Sequence, residues 1–277
     1  MTLGSPIRIE RISLELTNRC DKGCAFCYSA SSPSGESRWR DPADVLRLVR
    51  DCARGGVRAV SFGGGEPLQY EGLDEVLRGL DGVLFRSLTT NGLLLLRPGR
   101  LDALARARPD KVHVSIHYPE RRAELTRALS CLEALDSRGI ASGVNLLVRR
   151  SALAAAVETG RALRELGVGN DRIVYLPQRG DGGRETPTPR QLAEVAGGAK
   201  FQSMSCLLRC AASPRFCSIG WDRSVAWCSY TRARRPLAEL THAALLEALE
   251  GLSLDYCGVG ADAGRQVDAA RLAVAWR

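Results

Sequence analysis

From residue 8 to about 177 the chain alternates short β-branched runs with longer amphipathic stretches, and no other feature narrows its fold so far. The β-branched runs occupy 8–16, 57–62, 83–88, 111–117, 140–148 and 172–176. Helical periodicity fills the intervals at 41–54, 70–80, 97–106, 120–138 and 152–166. Strands separated in this way by helices pair in parallel through right-handed crossovers. Six such units are two short of a closed eight-stranded barrel. The expected class is α/β: a partial (β/α)6 TIM-like barrel with a small C-terminal β-hairpin and helix appended. Ligands of parallel α/β folds bind at the carboxyl ends of the strands.

The pattern breaks after Gln178. Residues 179–190 are rich in Gly, Pro, Thr and charge and read as a loop or linker. A short helix is expected at 193–198, another helix at 236–252 and an amphipathic tail at 261–277. These breaks divide the chain into a core domain at 1–190, an appended segment at 191–260 and the tail. Residues 215–229 have two aromatic and β-branched arms around Asp222 and Arg223, a hairpin pattern. If those two residues form the turn centre, Cys217 and Cys228 stand directly opposite each other. Cross-strand partners have Cβ atoms about 5 Å apart, so both thiols would reach one metal site.

Composition matters mainly through cysteine, of which there are ten. No apolar run approaches the roughly 20 residues of a membrane span, and the first ten residues lack the apolar core of a secretory signal. A cytoplasmic protein is expected, where disulfide frameworks are rare and clustered cysteines indicate metal or redox chemistry. The net charge of +8 comes from arginines scattered singly. Without a basic run interleaved with aromatics, nucleic acid is not an expected partner. Cys52 and Cys131 stand alone within helical patterns and read as small buried hydrophobes.

Cys20, Cys24 and Cys27 lie on the segment that leaves the first strand. Three thiolates within eight residues can wrap one face of an iron–sulfur cubane and leave its fourth iron open. Zinc is the competing metal, although its structural sites ordinarily take four ligands in paired spacings. After the second strand come Gly63, Gly64, Gly65, Glu66 and Pro67. Glycines let backbone carbonyls approach a ligand, and a carboxylate can accept hydrogen bonds from an ammonium.

Cys-x3-Cys-x-aromatic-Cys after strand one, with Phe26 as the aromatic, resembles the signature of the radical S-adenosylmethionine (SAM) superfamily. The resemblance covers roughly residues 8–180. It implies a [4Fe–4S] cluster on Cys20, Cys24 and Cys27 whose open iron chelates SAM. An electron from that cluster cleaves SAM to methionine and a 5′-deoxyadenosyl radical. The stretch Gly64, Gly65, Glu66 and Pro67 is similar to the family's contact with the SAM methionine amino group. Thr90 and Asn91 after strand three, Ser115 in strand four, and Asn145 and Arg149 at strand five occupy places where relatives contact SAM. His117 departs from the acidic residue often found at its position.

The C-terminal cysteines resemble a twitch, or truncated SPASM, segment holding an auxiliary [4Fe–4S] cluster. Residues 223–228 match a Gly-x-Val-x-x-Cys run with Arg223 in place of glycine. Cys210, Cys217, Cys228 and Cys257 form the expected ligand set, with Cys206 as the substitute and a zinc site as the alternative. The implied enzyme is a radical SAM oxidoreductase or maturase that takes a hydrogen from a peptide, with a flavodoxin- or ferredoxin-type reductant. A small-molecule dehydrogenase or cyclase is the second reading. A non-catalytic iron–sulfur or zinc regulatory protein is a third, but it leaves the Gly-Gly-Glu-Pro stretch without a use.

Overall fold

The computed structural model describes residues 7–180, 183–204 and 215–254. They form two compact units. Residues 7–89, 99–111 and 215–254 make the first, and residues 90–98, 112–180 and 183–204 most of the second.

The first unit is built on β1 (Arg11–Thr17), β2 (Ala59–Gly64) and β3 (Phe85–Thr90, all but its last residue), paired in parallel. In β1, Ile12, Leu14 and Leu16 are fully buried, while Ser13 and Glu15 alternate onto the opposite face. The buried face packs against helices. Helix α1 (Pro42–Arg54) starts where Asp41 accepts the Ala43 N–H at 2.8 Å and Pro42 fixes the first turn. Such a cap is worth about 1 kcal/mol. Its Val45, Leu48, Val49 and Cys52 form the i, i+3, i+4, i+7 stripe that enters the core. Helix α2 (Leu73–Gly79) makes the β2–β3 crossover, and α3 (Arg100–Ala107) also lies in this unit.

The second unit pairs β4 (Lys111–Ile116, all but its first residue), β5 (Ser142–Val148), β6 (Ile173–Pro177) and β7 (Gln202–Ser203) in parallel. Helices α4 (Arg122–Asp136) and α5 (Leu153–Glu165) are its crossovers. The parallel α/β class with a following hairpin is thus the observed one, and the six expected strands and five expected helices are all present. Two regions differ from the sequence expectation. Helix α6 (Pro189–Val195) begins inside the expected 179–190 loop. Thr188 caps it by accepting the Gln191 N–H while Gln191 accepts the Thr188 N–H at 2.8 Å, a capping box with proline at the first helical position. Strand β7 was not expected, because two residues carry no readable periodicity.

Within the expected 191–260 segment, the described residues 215–254 belong to the first unit. Strand β8 (Phe216–Ile219) pairs in parallel with β1, and β9 (Ser224–Ala226) then pairs antiparallel with β8. A two-residue strand, β10 (Arg235–Pro236), adds to β9 before α7 (His242–Leu249). The hairpin register corrects the expected facing of Cys217 and Cys228. Ser218 pairs with Ala226 and Ile219 with Val225, so Trp227 comes opposite Cys217 and Cys228 is one residue past it. The cause is the turn. Its loop is three residues long, with Arg223 in the left-handed region at φ 65°, and the Gly220 N–H donates to the Ser224 carbonyl at 2.7 Å. Three-residue hairpin loops place a left-handed residue at this position, which glycine ordinarily takes. Arg223 is stabilised there by ion pairing with Asp44 and by its guanidinium lying 4.9 Å from the Trp39 ring centroid.

Candidate cluster loop and ligand-binding residues

Beyond β1 the chain turns into the loop that carries Cys20, Cys24 and Cys27, and its backbone is heavily hydrogen-bonded. Cys20 donates to Ser32 at 2.9 Å, Ser32 to Asn18 at 3.1 Å, and Asn18 to Glu36 at 2.9 Å. Cys27 donates to Cys24 at 3.1 Å, closing a turn that contains Phe26. All three thiols are half-buried and outside any disulfide.

The glycine run at the end of β2 supports this loop from beneath. The Gly65 N–H reaches the Thr17 carbonyl at 2.7 Å, and the Glu66 N–H reaches the Arg19 carbonyl at 2.7 Å. A Cβ on Gly65 would lie 2.2 Å from the Arg19 oxygen, and one on Gly64 would lie 2.5 Å from the Thr17 oxygen. Gly64 also has φ 104°. Only glycine permits both the approach and the dihedral. The Glu66 carboxylate is buried, and its Oε1 accepts the Leu68 N–H at 3.0 Å, capping the single helical turn Pro67–Gln69. Sequence reasoning gave Glu66 a ligand contact and missed this capping bond.

The loop also touches the hairpin. The Tyr28 and Tyr230 rings lie 5.0 Å apart between centroids, and the indole N–H of fully buried Trp39 donates to the Gly220 carbonyl at 3.2 Å. Beneath Tyr28 is Glu15, whose pKa is raised chiefly by burial, against the opposing charge of Arg234. Tyr28 leaves 44% of its surface exposed, and its hydroxyl interacts with Glu15 and the Gly64 backbone. Burial, and then the charge of Glu15, hold that hydroxyl's pKa well above the usual value.

The two C-terminal cysteines within the described residues differ. Cys228 is half-buried and its sulfur accepts the Tyr230 N–H at 3.5 Å. Cys217 is fully buried, and burial, then proximity to Cys52, push its thiol far above the usual range. Cys206, Cys210 and Cys257 lie outside the described residues.

The second unit carries the other expected contacts at the carboxyl ends of its strands. Ser115 and Asn145 are side by side in register and nearly buried. Thr90 Oγ1 accepts the Gly92 N–H at 3.0 Å, and Asn91 Oδ1 accepts the Leu93 N–H at 2.8 Å, so both shape their own turn. That turn is held from α4, where Arg127 donates to the Asn91 carbonyl at 3.0 Å and pairs with Glu124 at 2.7 Å. Glu124 in turn accepts the His117 backbone N–H at 2.9 Å. Arg149 pairs with Glu120 at 2.6 Å.

Among the described residues, no three His, Cys, Asp or Glu side chains converge as the ligands of one ion do. The three half-buried thiols on a loop spread over eight positions suit a cubane, where each thiolate takes a separate iron. The sequence pattern of the Radical SAM superfamily matches residues 14–186. The chain belongs to the radical SAM superfamily.

Two relatives and one solved protein mark its neighbourhood within that superfamily. A probable GTP 3′,8-cyclase of Methanocella arvoryzae is 37% identical over 41% of this chain and 36% of its own. The PqqA peptide cyclase of Gluconobacter oxydans is 32% identical over 66% of this chain and 53% of its own. The chain therefore spans only about a third to a half of the length of these relatives. Streptococcus suis SuiB bound to its precursor peptide SuiA superposes with a TM-score of 0.66 at 15% identity. That match covers 87% of this radical SAM chain and 64% of SuiB. Membership implies a [4Fe–4S] cluster and SAM as cofactors. No helix among the described residues is long and apolar enough to cross a membrane.

Proposed function

We propose that this chain reductively cleaves SAM and uses the resulting radical to take a hydrogen from a peptide substrate. The reading is carried by the three half-buried thiols of the loop after β1, braced by the glycine run of β2 through two 2.7 Å hydrogen bonds. A cluster held there would supply the electron for SAM cleavage. Cys20, Cys24 and Cys27 are its ligands, with Phe26 beside them. Glu66 serves the methionine ammonium, and Gly64, Gly65 and Pro67 shape the backbone around it. Thr90, Asn91, Ser115, Asn145 and Arg149 are the further SAM contacts. The likeness to a peptide cyclase and to SuiB supports a peptide substrate, and a flavodoxin- or ferredoxin-type protein is the proposed reductant. A small-molecule reading has its own support in the 37% identity to GTP 3′,8-cyclases.

A second, auxiliary [4Fe–4S] cluster is proposed on the later cysteines. Burial of Cys217 favours Cys206 in its place, giving Cys206, Cys210, Cys228 and Cys257. Replacing Cys20, Cys24 and Cys27 together with Ala should abolish 5′-deoxyadenosine formation and remove about half of the roughly eight irons bound by anaerobically reconstituted protein. Iron analysis and mass spectrometry read both quantities. Persistent 5′-deoxyadenosine in the triple variant would overturn the assignment of the loop.

A further inference from the structure

The single helical turn Pro67–Gln69 meets the cluster loop at a place that the glycine run does not reach. Pro67, Leu68 and Tyr70 are buried, and the Tyr70 hydroxyl donates to the Trp39 carbonyl at 2.8 Å. The Gln69 N–H donates to the Glu66 carbonyl at 2.9 Å, and the Tyr70 N–H to the Pro67 carbonyl at 3.0 Å. Between these anchors Gln69 stays half-buried. Its side chain reaches across 48 positions of sequence and donates from Nε2 to Asp21 Oδ2 at 2.6 Å. An ionised carboxylate only accepts, so the amide nitrogen must face Asp21. This leaves Gln69 Oε1 buried without a hydrogen bond among the described residues. Buried polar atoms ordinarily have partners, so Asp21, not the surroundings of Oε1, orients the amide.

Asp21 directly follows Cys20. On the other side of that cysteine, the Arg19 carbonyl accepts the Glu66 N–H at 2.7 Å. Both neighbours of Cys20 are thus held by one turn, Arg19 by its cap and Asp21 by its last residue. Cys27, by contrast, is tied to Cys24 within the loop itself. The same turn carries the Glu66 carboxylate, which is assigned to the SAM ammonium.

We propose that Gln69 is a positioning residue that fixes Cys20 against the Glu66 turn. The cluster ligand and the ammonium-binding carboxylate then keep one mutual geometry. Gln69 acts through Asp21 and needs no contact with either the cluster or SAM. The inference rests on the cluster and SAM readings of this loop and turn.

The test exchanges donor and acceptor. Gln69→Glu sets carboxylate against carboxylate and breaks the bond. Adding Asp21→Asn restores it with the direction reversed, an amide again facing a carboxylate. Anaerobically reconstituted protein is exposed to an iron chelator and iodoacetamide, and mass spectrometry follows alkylation of Cys20 and Cys27 separately. Gln69→Glu should speed alkylation of Cys20 roughly fivefold, the effect of one hydrogen bond, and that of Cys27 less. The double variant should return to the parent rate. The electron paramagnetic resonance spectrum of the reduced cluster gives a second readout. Half of its SAM-induced change should need about fivefold more SAM in Gln69→Glu and the parent amount in the double variant. An unchanged Cys20 rate, equal acceleration of both cysteines, or a double variant no better than the single one overturns the role of Gln69. Each of these leaves the cluster reading standing. A parent that holds no iron, or whose spectrum ignores SAM, overturns the underlying readings and this inference with them.

Discussion

The loop after β1 and the hairpin of β8 and β9 both present cysteines, but in opposite chemical settings. Cys20, Cys24 and Cys27 are half-buried on a loop whose backbone is fixed by neighbouring carbonyls and amides. Cys217 is sealed in the core beside Cys52, where forming a thiolate is costly. Metal ligation requires the thiolate. The difference teaches that cysteines nominated alike by sequence meet unlike surroundings once the chain folds. Cys228 is half-buried with a backbone N–H directed at its sulfur.

The strongest way to break this contrast is to disturb the glycine support of the cluster loop. Gly65→Ala would place a methyl 2.2 Å from the Arg19 carbonyl, and a backbone oxygen cannot swing aside. The loop must shift, and displacements of about 1 Å cost catalysis roughly a hundredfold. Gly63→Ala is the matched control, because a Cβ there meets nothing within 4 Å. The expected outcome is low iron content and roughly hundredfold slower 5′-deoxyadenosine formation in Gly65→Ala, with iron content preserved in Gly63→Ala. If the two variants retain iron equally, the glycine run does not brace the loop.

Sharpening the comparison needs the two hairpin cysteines separately. Cys228→Ala should lower iron content by about half while leaving 5′-deoxyadenosine formation detectable. Cys217→Ala should keep its iron and instead lose about 1–2 kcal/mol of stability, as a buried sulfur leaves a small cavity. Iron analysis together with denaturant unfolding separates these outcomes. Iron loss in Cys217→Ala without loss in Cys228→Ala would reverse the assignment.

The strands and the cluster loop were legible because their signals are local. β-branched runs between amphipathic segments mark β1 to β6, and a strand's carboxyl end locates the loop that follows. The hairpin was legible as a hairpin but not in its register. Whether Arg223 adopts a left-handed conformation depends on Asp44 and Trp39, far away in sequence, and that one residue decides which side chain faces Cys217. Capping chemistry was present at Thr188 and Gln191, yet the surrounding Gly and Pro content concealed a helix start. Glu66 could be singled out by type, but its bond to Leu68 depends on the turn at Pro67.

The smallest expected effect concerns Glu15, the carboxylate beneath the loop. Its pKa is raised above the ordinary 4.5, chiefly by burial, and Arg234 only partly opposes the shift. A carboxyl group that binds its proton more tightly in the folded state than in the unfolded one favours folding while protonated. That contribution is complete below about pH 4.5, the unfolded value, and is lost as pH rises through the folded value. Glu15→Gln keeps the shape and removes the charge, so it should abolish this part of the pH dependence. Near neutral pH the variant should unfold at a higher temperature than the parent, and the gap should close as pH falls toward 4.5. Thermal unfolding of both proteins across that range is the measurement. A gap that widens toward acid would mean that the Glu15 carboxylate stabilises the fold through Arg234. The buried carboxylate would then be an electrostatic support of the loop, and the contrast with the buried thiol of Cys217 would not extend to Glu15.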